Sequence, residues 1–183
     1  MQVIDFRARP NTKEYMRLYP SSAWELFFDC PRPEDEPLSS FITALDKASV
    51  SHGVFTGRQT PQLRLSNDYV SECIHEYPDR LFGFAGIDAT EGVGALREIE
   101  RAITELGMKG VCLDPYNAQV YPDDRLYYPL YYKCLELAVP VILTMGPLVG
   151  KWSNPASVHN VAVDLPELEI VCSHGVWPQV TEL

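Results

Sequence analysis

An α/β fold built on a parallel sheet is what this sequence predicts, and three observations predict it. Short apolar runs alternate with amphipathic segments along the chain, the pattern of repeated β-α units. One run, Val141-Ile142-Leu143, is continuously apolar, as a strand covered on both faces must be. At 183 residues, with 46% apolar and 22% charged side chains, the chain suits one domain with a sizeable core.

The first strand candidate is Val3–Phe6. Pro31–Pro37 interleaves prolines with Glu34, Asp35 and Glu36 and reads as a rigid, acidic, exposed connector. Helices are predicted over Leu38–Ser49 and Ser66–Glu76, on either side of a second strand at Gly53–Thr56. A third strand spans Phe82–Ile87. Gly92 and Gly94 then precede a helix without the spacing of a phosphate loop, so they read as a simple helix start. In that helix Ala95, Leu96, Ile99, Ala102, Ile103 and Leu106 recur at helical spacing, with Arg97, Glu98, Glu100, Arg101 and Glu105 for the wet side. Gly107 stops it as a left-handed cap. The fourth strand is Gly110–Leu113. A further helix starts around Tyr127, tolerates Pro129 in its first turn, and is expected to bury Tyr127, Leu130, Tyr131, Cys134, Leu135 and Ala138. Val139-Pro140 ends it, and strands at Val141–Leu143 and Glu169–Cys172 complete the series.

Six units in this order look like a TIM-type barrel that has not finished, since the closed form has eight strands and typically about 250 residues. An open six-stranded sheet would leave its first and last strands unpaired on one side. The expectation is one barrel domain over 1–183 that lacks its C-terminal units, with the chain continuing beyond Leu183. A homo-oligomer in which another subunit covers the gap is the alternative.

The net charge of −10 argues against a nucleic-acid binder, which needs a basic face for phosphates. No apolar run is long enough for a membrane span, and no secretion signal opens the chain, so a cytoplasmic protein is expected. Five cysteines, with no C-x-x-C pair, fit reduced thiols, most of them packed in the core.

The opening Val3-Ile4-Asp5-Phe6-Arg7-Ala8-Arg9-Pro10 resembles the first strand of the amidohydrolase-related branch of the amidohydrolase superfamily, where Asp-x-His-x-His supplies the first two metal ligands. The resemblance continues through Phe82-Gly83-Phe84-Ala85-Gly86-Ile87-Asp88, Glu105–Val111, Tyr128–Tyr131, Val139–Gly146, Ile170–Gly175 and Trp177-Pro178. It is similar to an uncharacterised subgroup whose first strand also carries an arginine pair before proline. The resemblance implies a metal-dependent hydrolase fold with an altered ligand set. Its first two ligand positions hold Arg7 and Arg9, its fifth-strand histidine falls at Thr144, and its sixth-strand histidine is kept as His174. The eighth-strand aspartate would lie past Leu183. A guanidinium has no lone pair to donate, and one imidazole does not hold a zinc ion that takes three or four protein ligands. The expected cofactor is therefore none.

Catalytic groups of such barrels sit where strands end, which selects Arg7, Arg9, Asp114, Thr144 and His174. Alternation along the strand puts Asp5, Arg7 and Arg9 on one face. Two readings stay open for the arginines. They pair with Asp5, Asp114 or another carboxylate and lock the mouth, or they grip a substrate anion through forked hydrogen bonds. His174 is either a packed histidine or a general acid or base. Asp114 is a catalytic candidate, as a charge partner for an arginine or a proton acceptor, or else an ordinary turn opener before Pro115. Thr144 and Ser173 offer hydroxyl contacts, and Trp177 lines the pocket roof or caps the core. The resemblance points to hydrolysis of a lactone, ester or amide of a small carboxylated metabolite, or a related decarboxylation. The alternative is a metal-free barrel that binds a small anion or plays a structural part, or an inactive fragment.

Overall fold

The computed structural model describes residues 2–145 and 151–174. Strand β1 (Ile4–Ala8) is followed by helices α1 (Lys13–Met16), α2 (Ser21–Phe28) and α3 (Leu38–Lys47). Next come β2 (His52–Thr56), the short strands β3 (Arg58–Gln59) and β4 (Arg64–Leu65), and α4 (Asn67–Glu76). β5 (Leu81–Gly86) leads to α5 (Val93–Thr104), then β6 (Gly110–Leu113), α6 (Pro115–Ala118) and α7 (Tyr128–Glu136). β7 (Val141–Thr144), α8 (Pro155–Asp164) and β8 (Ile170–Ser173) follow.

The long strands form one six-stranded parallel sheet in the order β1-β2-β5-β6-β7-β8, which is most of a barrel. Every predicted strand is present, within two residues of its expected bounds. The helices behave as their patterns require. α5 buries Ala95, Ile99 and Ala102, and Gly107 takes a φ of +73° after it, as a left-handed stop does. Ser66 caps α4 by accepting from the Tyr69 N–H at 3.2 Å. Pro129 sits in the first turn of α7.

Two layers of packing result. Outward-facing strand residues such as Phe55, Ala85, Val111, Leu113 and Leu143 meet the helices in one continuous core with Ile99, Leu130, Tyr131 and Val161. Inward-facing Val54, Phe84, Cys112 and Ile142 form a second cluster, with Phe82 and Val171 against it. Phe6 closes edge-on against Phe84 at 6.3 Å. Full burial of each such side chain stabilises by about 1.5–3 kcal/mol. No helix among the described residues is long and apolar enough to cross a membrane.

Two features depart from the pattern reading. β1 advances from Asp5 to Ala8 while its partner advances only from Gly53 to Phe55, so β1 carries a bulge. The bulge falls within the stretch where simple alternation is expected for Asp5, Arg7 and Arg9. The Asp5 carboxylate turns back to accept the backbone N–H of Arg7 at 2.9 Å and leaves the Arg7 guanidinium alone. The second departure is the antiparallel pair β3–β4, which projects beyond the end of β2.

Candidate active site

The C-terminal ends of the parallel strands share one mouth, and the path of the chain there is set by two glycines. A Cβ on Gly86 would lie 2.3 Å from the Gly57 carbonyl carbon and 2.5 Å from the Arg58 nitrogen. Only with hydrogen at that position can the chain leaving β2 press against the end of β5. Asn67 fixes the contact: its Nδ2 donates to the Gly86 carbonyl at 3.1 Å, and its Oδ1 accepts the Gly86 N–H at 2.8 Å.

This close approach delivers Arg58, 3% exposed, into the mouth. Its Nη1 donates to Asp114 Oδ2 in a buried ion pair and to Thr144 Oγ1 at 3.5 Å. Its Nε is buried without a hydrogen-bond partner. Burial works against the charge on Arg58, but the Asp114 carboxylate, joined by Tyr19, Cys112 and Tyr15, outweighs it, so its pKa rises. Asp114 also opens α6, accepting the Asn117 N–H at 3.4 Å. Both readings of that aspartate hold, with Arg58 as the partner.

Arg7 reaches in from β1. Its Nη1 donates to Thr144 Oγ1 at 3.2 Å and lies 3.5 Å from Cys112 Sγ. Burial and the Arg58 cation both push the Arg7 pKa down. At the rim, Arg9 Nη2 donates to His174 Nε2 at 3.3 Å, bringing the ends of β1 and β8 together. An arginine only donates, so Nε2 must present its lone pair and the neutral ring carries its proton on Nδ1. His174 holds a left-handed φ of +62°. Loss of water around its ring, then Arg9, Arg7 and Arg58, lower its pKa.

The charge inventory is lopsided. The strand-end carboxylates each have an arginine: Asp114 has Arg58, and Asp88 has Arg64 at 3.9 Å. Among the described residues, no carboxylate pairs with Arg7 or Arg9. Pairing with Asp5 or Asp114, one of the two options for these arginines, is therefore not what forms.

The structure thus brings Arg7, Arg9, Asp114, Thr144 and His174 together. Ser173 stands apart, donating to the Leu143 carbonyl at 3.3 Å. Trp177 lies outside the described residues. Pattern reading missed Arg58 and placed Cys112 among plain core residues. The signal for Arg58 was its place two residues past a strand end, directly after a glycine.

Residues at such a mouth can be tested against a divalent cation. The donors here are one imidazole, one hydroxyl, the Cys112 thiol and one carboxylate already held by Arg58, beside three guanidiniums. No group of three or more His, Cys, Asp or Glu able to hold a metal ion occurs among the described residues. The described residues do not by themselves fit a metal ion.

Comparison with known proteins agrees on the fold. A family model, Amidohydrolase, matches residues 15–183. The chain belongs to the amidohydrolase family. The arginine-bearing β1 precedes the matched stretch. A gamma-resorcylate decarboxylase from Polaromonas sp. is 28% identical over 99 residues, 54% of this chain and 29% of that protein. The aligned stretch thus spans under a third of that curated relative. An uncharacterised TIM-barrel protein from Bordetella bronchiseptica is 28% identical, with a TM-score of 0.79, and the match covers 100% of this chain and 70% of that one. A 5-carboxyvanillate decarboxylase from Novosphingobium aromaticivorans, with bound manganese and a nitrobenzoic acid, shares the fold at 15% identity. Its TM-score is 0.68, over 96% of this chain and 66% of that one. This amidohydrolase-family chain therefore shares its barrel architecture with these solved structures, and its own mouth carries Arg7, Arg9 and Arg58.

Proposed function

We propose that this amidohydrolase-family protein binds a small carboxylated metabolite at the mouth of its sheet and hydrolyses it at a lactone, ester or amide bond, with no resident metal ion. One observation carries the reading: Arg7 and Arg9 end at the mouth with no carboxylate partner among the described residues, while Asp114 is taken by Arg58. An uncompensated guanidinium in a poorly solvated wall, as Arg7 is, is costly, and a bound anion removes that cost.

The roles follow from the contacts. Arg7 and Arg9 orient the substrate carboxylate through charge-assisted hydrogen bonds, and the Thr144 hydroxyl adds a contact. When Arg9 turns to the substrate, His174 Nε2 is released. A neutral imidazole with a free lone pair is a general base, suited to take a proton from attacking water. The guanidiniums then face the oxyanion that forms at the carbonyl. Asp114 keeps Arg58 in place.

A second reading is decarboxylation, favoured by the similarity to gamma-resorcylate decarboxylase. There the bond from carbon to the carboxylate breaks, carbon dioxide leaves, and the carbon takes a proton that His174 has first drawn from water.

The test supplies carboxylated lactones and aryl carboxylates and follows acid release and carbon dioxide separately. Turnover in the presence of a chelator, reduced at least about 100-fold in His174→Ala, supports an enzyme with His174 moving the proton. Turnover unchanged in that variant removes His174 from the mechanism. Ligands that raise the melting temperature and are never consumed would make this a binding module instead.

A further inference from the structure

The two unpaired arginines do not share a partner, and that separation speaks to what the mouth holds. Arg7 is set in the wall, bonded to Thr144 and beside Cys112. Arg9 stands at the rim against His174. A lone monocarboxylate would neutralise one of them and leave the other as it was.

Resting on the carboxylate reading above, we propose that the mouth is built for a small dianion with two separated carboxylates, one received by Arg7 in the wall and one by Arg9 at the rim. Three features of the cluster support it. The charge that remains after Arg58 is paired with Asp114 is two positive guanidiniums, matched by two carboxylates. Arg58, only 3% exposed, shares Thr144 Oγ1 with Arg7, and its Nε has no hydrogen-bond partner among the described residues. Arg7 meets Cys112 and Thr144 of β6 and β7, and Arg9 meets His174 just past β8, so each guanidinium has its own set of partners at the mouth. A compact dianion such as phosphate concentrates both charges on one centre and suits this arrangement less well than a rigid ring with carboxylates on two corners.

The experiment is calorimetric titration at neutral pH with benzoate, benzene-1,3-dicarboxylate and inorganic phosphate. The dicarboxylate is expected to bind at least about tenfold more tightly than benzoate, the increment of one modest charge-assisted contact. Arg9→Gln changes an exposed side chain, and its fold is checked by its melting temperature. In that variant the preference for the dicarboxylate should shrink to within about twofold, while benzoate still binds. Equal affinities of benzoate and the dicarboxylate in the unaltered protein overturn the dianion assignment and leave the carboxylate reading standing. So does tighter binding of phosphate than of the dicarboxylate, or a preference undiminished in Arg9→Gln. If neither carboxylate binds, the carboxylate reading itself falls and takes this inference with it.

Discussion

Thr144 Oγ1 accepts from two guanidiniums that repel each other, and this one hydroxyl explains much of the local energetics. Arg58 tolerates burial because Asp114 is its counter-charge. Removing Asp114 alone, as Asp114→Ala, leaves a buried cation and should cost about 3–5 kcal/mol in urea unfolding. Replacing both members, Arg58→Met with Asp114→Leu, should recover most of that loss, and a double variant no more stable than Asp114→Ala would contradict the account. His174 supplies a second prediction at this scale. Its folded pKa lies below the unfolded value of about 6.5. As pH falls through about 6.5, the unfolded chain takes the proton first, so stability declines until the folded pKa is passed and levels off below it. His174→Gln should flatten that decline, and an imidazole NMR titration at or above the ordinary value would refute its cause. Residue types at strand ends pointed to Arg7, Arg9, Asp114, Thr144 and His174 because chemistry collects there. Which arginine meets which carboxylate was not legible, since Arg58 and Asp114 are brought together by the fold.

Elements were readable to the extent that they are long enough to show a period. The apolar run of β7 and the helical spacing of α5 each repeat over enough residues to declare themselves. β3 and β4 have two residues each and show no period at all, yet they carry Arg58. The bulge in β1 is equally silent, because register depends on the partner strand. Two glycines offer a contrast that tests the geometry of the Gly57–Gly86 junction. In Gly86→Ala the new methyl meets backbone atoms of Gly57 and Arg58, which cannot swing away as a side-chain tip can. A loss of about 1–3 kcal/mol or more is expected, together with displacement of Arg58 and weaker carboxylate binding. Gly92, before α5 and away from this junction, has a positive φ of +57°, and a Cβ there meets nothing within 4 Å. Gly92→Ala should cost about 1–3 kcal/mol of backbone strain and leave binding alone. Equal carboxylate affinities in the two variants, by calorimetry, would mean that the Gly57–Gly86 contact does not steer the chain into the mouth.

Across the whole molecule, a net charge of −10 coexists with a mouth where three arginines outnumber their counter-charges. A divalent cation drawn to the acidic exterior meets, at the strand ends, the charge sign that repels it. The donors among the described residues do not complete a coordination sphere, because guanidiniums offer no lone pair and the Asp114 carboxylate would first have to abandon Arg58. Vacating that ion pair exposes a buried cation, at a cost of several kcal/mol that a weak ion cannot repay. The protein purified from manganese- or zinc-supplemented medium is therefore expected to carry well under one equivalent of either metal by elemental analysis. Dialysis against a chelator should leave both its melting temperature and its affinity for a carboxylate unchanged. Binding of either metal to the folded state would show as a melting temperature that rises with metal concentration. A stoichiometric ion retained through gel filtration, lost on chelation together with carboxylate affinity, would place a cation where fixed positive charge now stands and would reverse the electrostatic logic of the mouth.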